Sequence, residues 1–394
     1  MKIFNFHLMP YRHADLDAIE KNGSAWVTFS NRNYDPEKGA GLYHEYLDQM
    51  EFADKLGFDG VCLNEHHQTA YGMMPIPGVL AGALARSVKR AKLAILGRAL
   101  PLLNNPLVIA EEYAMLDNLT RGRFIAGFVR GIGAEYHAMG INPAESQERY
   151  AEAHDLIVRA WTEPGPFQYV GKHYHFNYVN PWPRPYQTPH PQIWVTGSSD
   201  LETPKRCAER GWVFANFLLP YDKVRRLFDA YRAHFVEHGL PGGGGLAYMP
   251  LVHTAESESE ALKGAEELRW YLTAPKSEPH FRNPPGYMPV AANVAAMRQA
   301  AGAGNERAMR SAGFDELREK GILVCGTPDH VVQQIKRFYE RVGGFDHLLM
   351  MDHAGFMSHE RTVKAMTLFA REVYPQIKDL PRTQPLRRAS AAAE

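Results

Sequence analysis

Short apolar runs alternate with helix-length segments along almost all of this chain. The runs are Ile3–Met9, Val61–Asn64, Leu93–Leu100, Phe124–Val129, Ile193–Thr196, Val213–Phe217, Tyr248–Thr254 and Leu348–Met351. Each reads as a strand buried on both faces, the pattern of parallel sheets. Helical segments fall near Gly41–Leu56, Gly78–Ser87, Leu107–Leu119, Glu148–Trp161, Lys205–Arg210, Lys223–His238, Glu258–Leu272, Pro328–Val342 and Arg361–Tyr374. Alternating β and α with right-handed crossovers allows a doubly wound sheet or a closed barrel. Eight repeats favour the closed α/β architecture, a (β/α)8 TIM barrel.

Two stretches interrupt the rhythm. Residues 164–191 are rich in Pro, Tyr, His and Trp and include Pro181-Trp182-Pro183-Arg184-Pro185, a density that excludes helix and central strand. A short hairpin is expected there around Gly171-Lys172. Residues 273–320 hold Pro284-Pro285-Gly286 and Gly302-Ala303-Gly304, and a connection that long reads as a lid or an unstructured insertion. We therefore expect one barrel over residues 1–380 with these two insertions, and a flexible Arg- and Ala-rich tail over 381–394.

The 44 basic and 44 acidic residues balance to zero net charge, so nothing marks a nucleic-acid or anionic-membrane partner. No apolar stretch is long enough to span a bilayer. The three cysteines are far apart in the sequence, which speaks for a reducing compartment. With no signal-peptide pattern at the start, the expected location is cytoplasmic.

Chemistry concentrates where strands give way to loops, the edge on which barrels place their sites. Glu65-His66-His67 follows the second strand. Successive side chains on an extended segment point to opposite faces, so Glu65 and His67 share a side and His66 faces away. One histidine on that edge can handle protons near neutral pH. Equally, one can order the loop while the other is solvated. No zincin pair or CxxC supports a metal, and none is expected. Arg130-Gly131-Ile132-Gly133 follows the fourth strand and offers a guanidinium beside open backbone, an anion site or simply a tight turn. Gly197-Ser198-Ser199-Asp200 follows the fifth and suits phosphate oxygens or ordinary helix capping.

Taken in order, several motifs resemble the bacterial luciferase-like flavin monooxygenases. They are Phe58-Asp59, Glu65-His66-His67, Leu116-Asp117, Arg121-Gly122-Arg123-Phe124, Val129-Arg130-Gly131, Thr196-Gly197-Ser198-Ser199, Cys325-Gly326-Thr327-Pro328 and Tyr374-Pro375. The likeness runs to about residue 378 and is greatest to the FMN-dependent two-component members, luciferase and the diketocamphane-type enzymes. It implies reduced FMN delivered by a transient flavin reductase, O2 as co-substrate, and a C4a-(hydro)peroxyflavin that oxygenates a small apolar or aromatic organic substrate. It implies His66, with Glu65 beside it, as the catalytic pair. It implies Arg130, the Ile132 backbone N–H, Arg149, Ser198 and Ser199 around the FMN phosphate, and Gly97-Arg98 at a non-prolyl cis peptide under the flavin ring. Arg98 departs from the family's small residues there, and the luciferases' reactive cysteine has no counterpart. Phe29, Tyr71, Met73, Met74, Phe217 and Tyr287 fall on loop edges and suit an apolar substrate or plain packing. The resemblance also implies a homodimer through the first barrel helices. A deazaflavin-dependent hydride-transfer oxidoreductase and a non-catalytic flavin-binding protein remain alternatives on the same barrel.

Overall fold

A computed structural model describes residues 1–197, 200–238, 244–273, 281, 283–288, 290, 294 and 311–381. Twelve strands are seen among them. β1 (Lys2–His7), β2 (Gly60–Leu63), β3 (Lys92–Ala99) and β4 (Phe124–Val129) come first. β5 (Phe167–Val170) and β6 (His175–Val179) form the antiparallel hairpin of the first insertion. β7 (Gln192–Thr196), β8 (Val213–Phe217), β9 (Gly245–Met249), β10 (Leu251–Thr254), β11 (Leu323–Gly326) and β12 (His347–His353) follow.

The barrel closes through eight parallel strands in the order β1-β2-β3-β4-β7-β8-β9-β12, with β12 pairing back to β1. Strand alternation sorts the side chains into two apolar layers. Phe4, Phe6, Cys62, Ala94, Leu96, Trp194, Val213 and Met351 fill the inside. Ile3, Val61, Leu63, Leu93, Ile95, Phe124 and Phe214 face the surrounding helices.

The expected strand over Tyr248–Thr254 is two strands. Pro250 has no N–H to donate, so pairing breaks at it. β9 stays in the barrel, whereas β10 leaves to pair with β11, which the sequence pattern did not announce. The first long helix is Pro36–Leu56, longer than expected. Asp35 accepts the N–H groups of Glu37 and Lys38, and Pro36 supplies a preset first-turn φ. Gly57, at φ 90°, ends the helix and aims β2 into the sheet. The helices Leu16–Asn22 and Gly133–Met139 were also not expected; both are only seven residues long, too short to show periodicity.

The β1–β12 seam carries buried polar groups. Asn5 Nδ2 donates to Asp352 Oδ1 at 2.7 Å, while Asp352 Oδ2 and Asn5 Oδ1 are buried without partners. The His7 ring stacks on His353 at 4.6 Å, and His7 Nε2 meets Gln49 Oε1 at 2.8 Å. Burial pushes the Asp352 carboxyl up to about 7, against the lowering pull of its hydrogen bonds. Burial pulls His7 down to about 4. The two act over the same pH window with opposite signs. Asp352, raised in the fold, contributes stability at low pH that is lost as pH rises from about 4 to about 7. His7, depressed in the fold, contributes stability that is lost as pH falls from 6.5 to about 4. Asp352→Asn should therefore be the more stable protein above pH 7, by on the order of 2–4 kcal/mol, and converge with the parent near pH 4. Urea unfolding across pH measures this; a variant no more stable at pH 8 would contradict it.

Candidate active site

The loop after β2 separates its two histidines, as alternation requires. His67 Nε2 meets Glu65 Oε1 at 3.0 Å, and the His67 carbonyl accepts from Trp26 Nε1 at 2.7 Å. Glu65 is 5 % exposed and also faces Arg98, Nε to Oε2 at 2.9 Å. Those two atoms lack hydrogen-bond alignment, so this is an ion contact. Arg98 reaches Glu112 as well, at 3.8 Å, in the helix Leu107–Thr120. Burial would lower the Arg98 guanidinium, but Glu65 and Glu112 outweigh it and hold the charge. Glu65 and Arg98, expected beside His66 and under a flavin ring, thus belong to a buried charge cluster facing the helix layer. The structure does not bring them to the His66 side.

His66 turns the other way. Its Nδ1 lies 3.1 Å from Glu135 Oε1, and its side chain is one-fifth exposed. Trp26 meets it edge-on at 5.1 Å, and Tyr71 at 5.5 Å. Tyr71 stacks on Trp26 and packs against Tyr271 and Trp270, giving the histidine an aromatic wall. Of the other aromatic and Met candidates, Met73 and Met74 are core residues and Phe29 packs against that core. Phe217 is 38 % exposed.

Glu135 connects His66 to the loop after β4. It sits in the helix Gly133–Met139 and reaches back so that Oε2 accepts the Ile132 N–H at 3.0 Å. That is the carboxylate half of a capping box. The Ile132 N–H, expected to serve a phosphate, is already donated here. Gly131 stands at φ 78°, a left-handed turn that glycine adopts without strain. Arg130 Nη1 donates to the Tyr287 carbonyl at 2.9 Å, and its guanidinium lies 4.2 Å from the Tyr287 ring centre. Tyr287 Oη donates in turn to the Gly131 carbonyl at 2.6 Å. The second insertion therefore reaches the site through Tyr287; most of the expected lid lies outside the described residues.

Arg149 is buried and donates to the Pro101 and Leu103 carbonyls and to Asn104 Oδ1. It fastens the loop after β3, so as placed it offers an anion few free N–H groups. Ser198 and Ser199 lie outside the described residues. Beside them, Asp200 Oδ1 accepts the Thr203 N–H at 2.7 Å, just ahead of the first turn of the helix Glu202–Glu209. The non-prolyl cis peptide is Leu96–Gly97, one residue earlier than expected. A Cβ on Gly97 would come within 2.5 Å of the Gly127 backbone, so two glycines let β3 and β4 approach there.

Sequence reasoning missed Glu135 and Trp26. Glu135 had one signal, its position three residues past Ile132 at the start of a helix. Trp26 had none, because its place beside His66 depends on chain folding.

The arrangement sets a guanidinium at Arg130 and an imidazole at His66 beside an apolar wall, groups suited to an anion and to a proton. The Arg130 N–H groups other than Nη1 bond no other described residue, and Gly131 exposes backbone beside them, so the donor set fits a phosphate-bearing group. Among the described residues no cluster could hold a metal ion, and no helix is long and apolar enough to cross a membrane.

The sequence model of the luciferase-like monooxygenases matches residues 25–354. Limonene 1,2-monooxygenase of Rhodococcus erythropolis is 25 % identical, over 84 % of this chain and 81 % of that protein. The crystal structure of a monooxygenase from Streptomyces bottropensis superposes with TM-score 0.72 at 26 % identity, covering 95 % of this chain and 99 % of that one. The FMN complex of the oxygenating constituent of 3,6-diketocamphane monooxygenase, a type II Baeyer–Villiger enzyme from Pseudomonas putida, also has TM-score 0.72. It is 18 % identical and covers 98 % of this chain and all of that one.

The buried cluster behind the site should respond to charge balance. Arg98→Met leaves Glu65 and Glu112 without their cation and should cost about 3–5 kcal/mol in urea unfolding. Adding Glu65→Gln should recover part of that loss; a double variant as unstable as the sum of the singles would contradict it.

Proposed function

The chain belongs to the luciferase-like monooxygenase family, and from that membership we propose that it oxygenates a small apolar or aromatic substrate with reduced FMN and O2. The reduced flavin would come from a separate flavin reductase. One observation carries the reading. His66, Glu135, Ile132 and Arg130 form a single connected run on the C-terminal barrel edge, a proton handler joined to an anion site.

Reduced FMN, when bound, supplies the electrons that activate oxygen. Arg130 would hold its phosphate, with Gly131 letting the backbone come close and Ser198 and Ser199 completing the site. The narrowed backbone at Gly97 would floor the ring. His66 would hold and move a proton at Nε2. Trp26, Tyr71 and Tyr271 would exclude water and set the apolar character of the substrate. Arg149 would support this from behind, by fixing the loop after β3. Three buried free cysteines agree with a cytoplasmic setting.

Two proteins test the reading. Arg130→Ala should bind FMN about tenfold or more weakly and riboflavin unchanged, because it loses one charge-assisted contact. His66→Ala should keep FMN affinity but release more hydrogen peroxide and lose product formation about a hundredfold. Equal FMN affinity in Arg130→Ala would remove the anion site from the account. Titration with reduced FMN against a reduced deazaflavin separates the hydride-transfer alternative.

We further propose a homodimer through the first barrel helices. Leu80 and Leu84 face the core, but Ile76, Val79, Val108, Met115 and Leu119 stand 49–69 % exposed on the neighbouring segments Ile76–Ser87 and Leu107–Thr120. Apolar exposure on adjacent helices favours a partner. Sedimentation should show a dimer at micromolar protein and a monomer for Met115→Arg/Leu119→Arg; a monomeric parent would contradict this.

A further inference from the structure

The two oxygens of Glu135 have different partners, and that difference fixes more than a loop. Oε2 receives the Ile132 N–H at 3.0 Å, and Oε1 faces His66 Nδ1 at 3.1 Å. The Glu135 side chain is 2 % exposed, so water does not substitute for either partner. A carboxylate only accepts hydrogen bonds. The imidazole nitrogen that faces it must then carry the proton. His66 Nε2 bonds no described residue.

We infer that Glu135 is a positioning residue that sets the tautomer of His66, with the proton on Nδ1 and Nε2 left as an open acceptor. The bond made by one ring nitrogen decides the state of the other. The site consequently starts as a proton acceptor. It can take a proton from a bound group before it gives one back. Because Glu135 is also anchored on Ile132, the ring is tied to the Arg130–Gly131–Ile132 loop. The consequence for oxygenation rests on the flavin reading of this site; the tautomer itself does not.

Replacement by glutamine, Glu135→Gln, gives a specific opposite. The Ile132 N–H can only donate, so it will hold the amide oxygen of the new side chain. That leaves the amide NH2 toward His66, and NH2 can only donate as well. Nδ1 must then accept, and the imidazole proton moves to Nε2. The volume and the loop anchor are unchanged, so a merely structural role would not produce this switch.

The experiment is 15N–1H correlation spectroscopy of histidine-labelled full-length protein without flavin at pH 8.5. The His66 signals are identified by their loss in His66→Gln. The parent should show His66 protonated on Nδ1 alone, and Glu135→Gln should show it protonated on Nε2 alone. Glu135→Gln should keep FMN affinity within about twofold, as expected when no phosphate contact is removed. A proton on Nε2 in the parent overturns the inference even if the variant does not fold. An unchanged tautomer in a folded Glu135→Gln overturns it as well. FMN titration of the parent is a separate arm: failure to bind would remove the flavin reading and leave the tautomer result standing.

Discussion

Parallel pairing of β1 with β12 is the constraint from which the rest follows. Lys2 pairs with His347 and Asn5 with Met350, and this closes the sheet. Every barrel strand then runs the same way, so every strand-end loop emerges on one edge. Residues as distant in sequence as His66, Arg130 and Tyr287 meet there without any local reason to do so. Closure also places polar groups at a dry seam. Asn5, Asp352, His7 and His353 are buried where the two strands join, and the ionisation of Asp352 and His7 makes stability depend on pH between about 4 and 7.

The edge sorts charge by strand alternation. Two adjacent histidines each have a glutamate, and the two pairs have different surroundings. His67 and Glu65 join Arg98 and Glu112 in a buried cluster behind the sheet. His66 and Glu135 stand on the open side, next to aromatic rings and Arg130's loop. A buried ion cluster of this kind is poor evidence for stabilisation by itself, yet removing one member leaves an uncompensated charge. The cluster lies directly behind the loop that carries His66. The glycines at 97 and 127 act on the same region by letting two strands approach.

The family membership and the geometry of the edge add different things. Membership gives the family, the luciferase-like monooxygenases. The geometry separates residues with open polar atoms on the edge from residues whose polar atoms are engaged by the chain. Arg149 bonds three oxygens of the loop after β3, and Arg98 faces Glu65 and Glu112. Both are arginines near the site, and the guanidinium of each is engaged by other groups of the chain. Arg130 differs because, among the described residues, its partners are all on Tyr287, a carbonyl and an aromatic ring.

Local pattern was enough for the eight barrel strands, because each is an apolar run that parallel burial requires. It was enough for the hairpin near Gly171 and for the facing of Glu65 and His67, since period-two alternation needs no tertiary information. It located the strand ends where chemistry collects. It could not announce the break at Pro250 as a departure of β10 from the barrel, because which strand receives β10 depends on the position of β11. It could not find Glu135 as the partner of His66, for the two are 69 residues apart and meet only when the barrel closes. The family resemblance placed Arg98 under the flavin ring, and local pattern could not say which face of the strand its side chain takes after a cis peptide and a register shift between Ile95 and Arg98. The elements and the edge were thus written in local pattern. Which side chains share that edge was left to the closed barrel, because it depends on contacts between strands far apart in the sequence.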